Sequence, residues 1–449
     1  MGWAKLLRLA PLSFFSIEMN NTRLVPRNLI LPFILVTTLF FAWGFANDIT
    51  NPMVKAFSKI FRMSVADGAL VQLAFYGGYF VMAFPAALFI RKFSYKAGIL
   101  FGLTLYAGGA LLFIPASLMG EYYPFLIAYF ILTCGLSFLE TSANPYILSM
   151  GDEATATRRL NLAQAFNPIG SLLGMFTAMT FIQARLNPLD TAERAQLSLA
   201  EFEAVKNADL QVLSAPYVTI GLIILFLSLV IHFMPMPKNA DKDHSLNLGA
   251  ALKRIFARKK YREGVVAQFF YVGVQIMCWT FIIQYGTHIF VGEGMEEQAA
   301  EVLSQKYNIA AMAIFCLSRF ICTFLLKFFK PGKLLMWLAI VGAVLTAGVI
   351  GFQDIRGLYC LVGVSACMSL MFPTIYGIAL EGLGEDAKFG AAGLIMAILG
   401  GSMMPPVQAA IIDCETIGGL PAVNVSFVLP LICFLVIICY GYRSYKCFK

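Results

Sequence analysis

Residues 334–352 read LLMWLAIVGAVLTAGVIGF, a run of nineteen side chains with no charge among them. A helix that crosses a bilayer needs roughly 20 mostly apolar residues, so this run is long enough to span a membrane. Eleven other runs share its length and apolar character. The twelve predicted spans cover residues 29–47, 68–90, 97–118, 124–150, 162–182, 215–233, 264–290, 309–329, 334–352, 357–380, 389–412 and 420–442.

The composition of the whole chain agrees with this interpretation. Of 449 residues, 59% are hydrophobic and only 13% are charged, whereas a soluble domain carries about 25% charged residues. Disordered chains are poor in aromatic residues, yet aromatic residues make up 14% of this sequence. Soluble and disordered classes are therefore excluded, and an all-α membrane protein with twelve transmembrane helices is predicted.

The longest polar connection, residues 234–263, divides the twelve spans into six and six. We therefore predict a tail at 1–28, a first six-helix bundle at 29–233, a linker at 234–263, a second six-helix bundle at 264–442 and a tail at 443–449. This plan resembles that of the major facilitator superfamily, whose two halves are related repeats.

Lys and Arg are distributed unequally between the two sides of the predicted membrane. The side that holds both termini and the linker carries 24 of the 33 basic residues, and the opposite side carries 8. Cytoplasmic loops of membrane proteins carry an excess of Lys and Arg. The termini and the linker are therefore predicted to be cytoplasmic.

Other sequence features exclude several functional classes. The net charge of +8 arises in short loops, where the cytoplasmic excess explains it, so no nucleic-acid partner is predicted. The ten cysteines lie mostly inside apolar runs, and no cluster of His, Cys and carboxylates has the spacing of a metal site. No span pairs a nucleophile with a base, and no loop resembles a phosphate-binding glycine motif. We therefore predict no metal, no cofactor and no enzyme activity.

Two charged side chains, Glu140 and Arg319, lie well inside predicted spans, and Asp48 directly follows the first span. Charges within a bilayer are costly and by default mark a functional site. Glu140 is more than two turns from either end of span 4, so we assign it a transport role in preference to a structural pair with a base such as Arg319. Asp48 lies near the outer surface, where it either assists proton coupling or ends span 1 among the headgroups. Arg319 is predicted to be a structural or gating cation between helices, with substrate contact as the alternative.

Uncharged polar side chains recur at helical spacing in three spans. They are Trp43, Asn47 and Asn51 in span 1, Asn161, Gln164, Asn167 and Ser171 in span 5, and Gln268, Tyr271, Gln275 and Trp279 in span 7. Residues three or four apart share a helix face. Amides bond paired sugar hydroxyls and aromatic rings cover the apolar face of a pyranose, so these stripes predict a central sugar cavity. The alternative is hydrogen bonding between helices, which polar side chains also provide in membranes.

Several motifs carry a family resemblance. They read FFAWGFAND at 40–48, FYGGYF at 75–80, LETSANP at 139–145, RLNLAQAFN at 159–167, AQFFYVGVQ at 267–275 and FPTI at 372–375. They resemble motifs of the L-fucose–proton symporters, or fucose permeases, of the major facilitator superfamily. The resemblance extends from about residue 29 to the last span.

The resemblance implies proton-driven uptake of a monosaccharide by alternating access across a bacterial inner membrane. L-Fucose is the favoured sugar, with galactose or glucose as alternatives, and a non-transporting sugar sensor is the alternative from another class. In that family the fourth-span Glu, here Glu140, is a coupling residue, and residues here numbered Trp43, Gln164 and Asn167 line the sugar cavity. The implied partners are the sugar, H⁺ and the lipid bilayer, and we expect a monomer.

The sequence departs from the family at two positions of the expected site. The family's first-span acid aligns with Asn51, while Asp48 stands where Asn is usual, so either Asp48 has taken over its role or Glu140 works alone. Phe372 stands where a Tyr is expected, which removes a hydroxyl contact. The expected substrate-binding residues are Trp43, Asn47, Asn51, Asn144, Gln164, Asn167, Gln268, Tyr271, Gln275, Trp279 and Phe372.

Overall fold

The computed structural model describes residues 23–50, 53–63, 67, 70–189, 191–235, 248–414 and 416–446. Within them it contains twelve helices that are long and apolar enough to cross a membrane. Spans 1 to 12 are Arg27–Thr50, Leu73–Lys92, Tyr95–Met119, Tyr122–Ser149, Glu153–Ile182, Leu199–Phe233, Lys259–Gly292, Ala299–Leu325, Pro331–Gly351, Ile355–Leu380, Ala387–Ile412 and Ala422–Lys446. Each overlaps one predicted span, so the twelve-helix prediction is confirmed.

Some helices extend beyond the predicted apolar runs. Span 6 begins at Leu199, whereas the apolar run begins at residue 215, because Ser198 and Glu201 form a capping box that starts the helix earlier. Elements that do not span are the helices Met53–Phe61, Thr191–Ala195 and Leu248–Ala257 and an antiparallel pair of strands, Thr416–Ile417 and Leu420–Pro421.

Several spans are interrupted, and proline explains two of the breaks. The broken spans consist of Tyr95–Leu111 and Phe113–Met119, Ala156–Gln164 and Asn167–Thr177, Ile355–Met368 and Met371–Leu380, Ala387–Met396 and Gly400–Ile412, and Ala422–Val425 and Val428–Lys446. Proline has no N–H, so Pro168 in span 5 and Pro373 in span 10 each leave the carbonyl four residues earlier without its helical donor. The freed carbonyls belong to Gln164 and Ser369.

Spans 1 and 5 approach each other so closely that their backbones touch. A Cβ atom at Gly44 would overlap the carbonyl oxygen of Asn167, and one at Gly170 would overlap that of Phe41. Small residues allow helices in membranes to pack at this distance. The contact fixes the polar residues of span 5 relative to those of span 1.

Spans 1–6 form one bundle and spans 7–12 form another. The two bundles contact each other in the half nearest to the helix Leu248–Ala257, which we call the linker end. There the backbone N–H of Gly382 donates to Glu153 Oε1 at 3.1 Å, and Asn161 Nδ2 donates to Thr374 Oγ1 at 3.1 Å. Hydrogen bonds thus join the first bundle to the second at this end.

Candidate functional site

Glu140 lies in span 4 with 6% of its surface exposed, and residues 132–147 around it are buried as well. The Tyr79 hydroxyl of span 2 donates a hydrogen bond to Glu140 Oε1 at 2.9 Å. Because a phenol is neutral, Tyr79 and Glu140 form no ion pair that would have to break when the carboxyl group gains or loses a proton.

Two tyrosines of span 2 interact with Asp48, with Glu140 and with each other. Tyr76 interacts electrostatically with Asp48, and Tyr79 interacts with both Tyr76 and Glu140. Asp48 is half-buried and lies two residues from the Thr50 end of span 1, whereas Glu140 lies nine residues from the Ser149 end of span 4. At 1.5 Å per residue, Asp48 lies about 3 Å from that end of its helix, whereas Glu140 lies about 14 Å from the end of its own. The tyrosines were missed in the sequence, although FYGGYF places them one turn apart.

Three buried groups form a hydrogen-bonded chain from span 5 to span 4. Gln164 Nε2 donates to Asn144 Oδ1 at 2.7 Å, and Asn144 Nδ2 donates to the Glu140 carbonyl at 2.9 Å. The amide stripe is therefore connected to the helical turn that carries the buried acid. A ligand hydroxyl that accepts from the same Gln164 N–H would compete with Asn144.

The other polar residues of span 5 bond to neighbouring helices. Asn167 is half-buried and donates to the Phe40 carbonyl at 3.2 Å, and Ser171 donates to the Gly44 carbonyl at 3.4 Å. In this conformation these side chains of span 5 form hydrogen bonds between helices. Such bonds are the alternative to a sugar cavity that the sequence left open.

Arg319 is buried in span 8 and binds the two carbonyls that proline frees. Its Nη1 donates to the Gln164 carbonyl of the first bundle at 3.1 Å, and its Nε donates to the Ser369 carbonyl of its own bundle at 2.5 Å. Its guanidinium also lies over the Phe315 ring, 4.6 Å from the centroid. Arg319 therefore links the broken helices of the two bundles and is not the hydrogen-bond partner of Glu140.

The span 7 stripe contains both bonded and unbonded polar groups. Tyr271 donates to the Met368 carbonyl at 3.2 Å, and Trp279 Nε1 donates to Ser365 Oγ at 3.3 Å. Gln268 is fully buried, and neither polar atom of its side chain has a hydrogen-bond partner among the described residues.

The remaining candidates differ in exposure. Gln275 and Phe372 are half-buried, and Asn47 is exposed. Trp43 is buried, and its ring lies 4.2 Å from that of Phe40. Asn51 lies outside the described residues.

An ion cluster joins both bundles and the linker at the linker end. Asp386, between spans 10 and 11, accepts from Arg91 Nη1 of span 2 at 3.2 Å and from Arg254 Nε and Nη2 at 2.8 Å each. Hydrogen bonds from Arg254 and then Arg91, together with their charges, hold the pKa of Asp386 below its ordinary value despite partial burial. The sequence reasoning did not identify this cluster, because its members lie far apart in the chain.

A family model described as Major Facilitator Superfamily matches residues 34–405. The L-fucose-proton symporter of Haemophilus influenzae is 51% identical over 436 residues, which make up 96% of this chain and 100% of the relative. The chain belongs to the fucose–proton symporter family of the major facilitator superfamily. A further relative, the L-fucose-proton symporter of Escherichia coli K12, is 33% identical over 423 residues, 93% of this chain and 94% of the relative.

The fold agrees with that of a solved member of the family. The crystal structure of the transporter FucP in the outward conformation matches with a TM-score of 0.84 at 32% identity, covering 93% of this chain and 99% of that one. The predicted fold, twelve transmembrane helices in the two bundles of the major facilitator superfamily, is thereby confirmed. As a member of this family the chain is a multi-pass protein of the bacterial inner membrane and is not an enzyme.

Proposed function

We propose that this protein is a proton-coupled symporter that imports L-fucose by alternating access. The observation that carries the proposal is Glu140, a carboxyl group buried in span 4 and bonded to a phenol rather than to a base. Ionisable groups within spans mark proton and substrate pathways. The 51% identity to a protein named L-fucose-proton symporter supports both the sugar and the ion.

The linker end is proposed to face the cytoplasm, since it carries most of the Lys and Arg. The bundles 29–233 and 264–442 contact each other there, which supports a cavity that opens outward, as does the similarity to FucP in its outward conformation. We propose that the two bundles rock against each other around the central site, as a monomer within the lipid bilayer.

Cysteine labelling tests this orientation. Cysteines introduced into 234–263 should react only with reagents on the cytoplasmic side, and those introduced into 187–213 only with external reagents. Labelling of both segments from one face would overturn the proposed topology.

Glu140 is proposed as the proton site, with Asp48 as an auxiliary acid. Asp48 lies near the proposed outer end of span 1, where Tyr76 interacts with it, and Tyr79 of the same helix is hydrogen-bonded to Glu140. A buried carboxylate is costly, so proton uptake eases closure of the cavity around the sugar. This shared dependence on closure links the two cargoes.

The sugar is proposed to bind between the polar stripes of spans 1, 5 and 7. A sugar hydroxyl that accepts from the Gln164 N–H now bonded to Asn144 would replace that bond, and the Asn144 amide also holds the Glu140 carbonyl. Sugar binding thereby alters the turn that carries the proton site. The proposed substrate-binding residues are Trp43, Asn47, Asn51, Asn144, Gln164, Asn167, Gln268, Tyr271, Gln275, Trp279 and Phe372.

Arg319 is proposed to act as a gate. Its bond to the Gln164 carbonyl crosses between the bundles, so this bond must break when the linker end opens. The bond to Ser369 stays within the second bundle and keeps the guanidinium in place.

Counterflow in proteoliposomes tests the function. Vesicles loaded with L-fucose should take up radiolabelled L-fucose, and the medium should become more alkaline when L-fucose is added. Galactose and glucose should compete weakly. If galactose or glucose competes and moves protons while L-fucose does not, that sugar is the substrate in place of L-fucose. Binding of the sugar without exchange would indicate a sensor.

A further inference from the structure

Tyr376 lies in span 10, four residues from the linker end of that helix, and is fully buried. Its hydroxyl has no hydrogen-bond partner among the described residues. A buried polar group without a partner is costly and calls for an explanation. The hydroxyl is not part of the proton or sugar site described above.

The backbone around Tyr376 lies directly against the first bundle. Thr374 accepts a hydrogen bond from Asn161, and a Cβ atom at Gly377 would come within 2.8 Å of Thr157 Oγ1. The Tyr376 ring stacks on Phe372 with 6.2 Å between centroids. The ring is thus fixed at the interface, and only the hydroxyl lacks a bonding role.

The electrostatic neighbours of Tyr376 come from both bundles. They are Glu140 of span 4, Tyr95 of span 3 and Tyr261 of span 7. Tyr261 already donates to the Gly390 carbonyl at 2.9 Å. Glu140 is the neighbour that can carry a full negative charge, and it belongs to the opposite bundle.

Other charged or titratable groups border this cluster. Lys388 of span 11 lies over the Tyr95 ring, 5.0 Å from its centroid. On span 2, Tyr79 occupies Glu140 Oε1 and itself interacts with Tyr76 and with Tyr106 of span 3.

We propose that the Tyr376 hydroxyl, which has no partner among the described residues, donates to Glu140 across the bundle interface when that carboxyl is ionised. Protonation of Glu140 then releases this bond and allows the linker end to open. The inference rests on the proposed role of Glu140. Hydrogen bonds to a charged acceptor are roughly twice as strong as neutral ones, so the ionised form holds the bundles together more firmly. The proton enters from external water, binds the carboxylate and leaves to cytoplasmic water, while Tyr376 keeps its own proton.

Tyr376→Phe removes the hydroxyl and preserves the ring that stacks on Phe372. We expect normal L-fucose counterflow but about a tenfold loss of accumulation driven by a pH gradient, with a flatter pH profile, a factor that corresponds to ~1.4 kcal/mol. Tyr376→His replaces the hydroxyl with a ring N–H donor and should restore part of the accumulation. Accumulation at the wild-type level in both variants would show a purely structural hydroxyl and overturn the proposal.

Tyr285→Phe is the matched control, because Tyr285 is also fully buried but donates to the carbonyls of Val349 and Phe352 within the second bundle. This variant should have a lower melting temperature, but its ratio of L-fucose accumulation to L-fucose exchange should equal that of the wild type. Equal loss of coupling in both Phe variants would overturn the assignment of Tyr376.

A double-mutant cycle separates this inference from the proposed function. Gln at position 140 cannot become a carboxylate, so Glu140→Gln/Tyr376→Phe should behave like Glu140→Gln alone. Additive effects, or wild-type accumulation by Tyr376→Phe at every pH, would overturn the inference and leave Glu140 as the proton site. Wild-type accumulation by Glu140→Gln would instead overturn the proposed function.

Discussion

Arg319→Met is expected to shift the transporter toward the state that is open at the linker end. The bond of Arg319 to Ser369 lies within one bundle, so it persists in both states and does not contribute to the difference in free energy between them. The bond to the Gln164 carbonyl crosses the interface and is lost on opening. A hydrogen bond from a charged group contributes about 1.5–3 kcal/mol. Its removal should therefore change the ratio of the two states by roughly 10- to 150-fold.

A buried reporter thiol measures this ratio. Thr374→Cys places a thiol at a fully buried interface position, and its reaction with an impermeant maleimide in inside-out vesicles reports opening. Native thiols, including the exposed Cys414 and Cys439, are subtracted by labelling the parent chain. Arg319→Met should accelerate the reaction by the stated factor. Arg356→Met, which removes an exposed arginine at the opposite end, should not, and an unchanged rate in Arg319→Met would refute the gating role.

Three further results are expected. Glu140→Gln should keep sugar exchange but lose accumulation and sugar-induced proton movement, whereas Asp48→Asn should retain more coupling; the reverse pattern in pH-electrode recordings would make Asp48 the proton carrier. Gln164→Ala should weaken L-fucose binding by about 1–3 kcal/mol in equilibrium binding, and unchanged affinity would remove it from the sugar site. Arg254 holds the pKa of Asp386 below its ordinary value. The ion pairs of Asp386 therefore stabilise the closed linker end fully above the ordinary carboxyl pKa of about 3.9, and they are lost as the pH falls through the lowered pKa. Asp386→Asn should mimic that loss at neutral pH and speed labelling of the reporter thiol.

The fold followed from composition because a helix in a bilayer must be apolar along its whole length, a property visible in one sequence. Glu140 was recognisable for the same reason, since a charge stands out in an apolar run. Tyr79 and Tyr376 were not, because a phenol is unremarkable in a span until the facing helix is known.

The contacts of Arg319 show where sequence reasoning stops. Pro168 and Pro373 predict which carbonyls lose their donors, but the arginine that binds both is 155 residues from Gln164 and 50 from Ser369. Spacing along one helix also could not show whether the span 5 amides face a sugar or each other, since helix packing and conformational state decide that question.

The contact between spans 1 and 5 has a consequence for how new sugar specificities can arise. No side chain separates the backbones at Gly44 and Gly170, so this wall of the proposed cavity cannot be reshaped by exchanging one rotamer or residue for another. Phe372 and Gln275 of the second bundle are only half-buried, so exchange of these side chains can make room for a bulkier sugar in the proposed site. Natural or laboratory variants with altered substrates should therefore accumulate changes in spans 7 and 10, while the two glycines stay as they are.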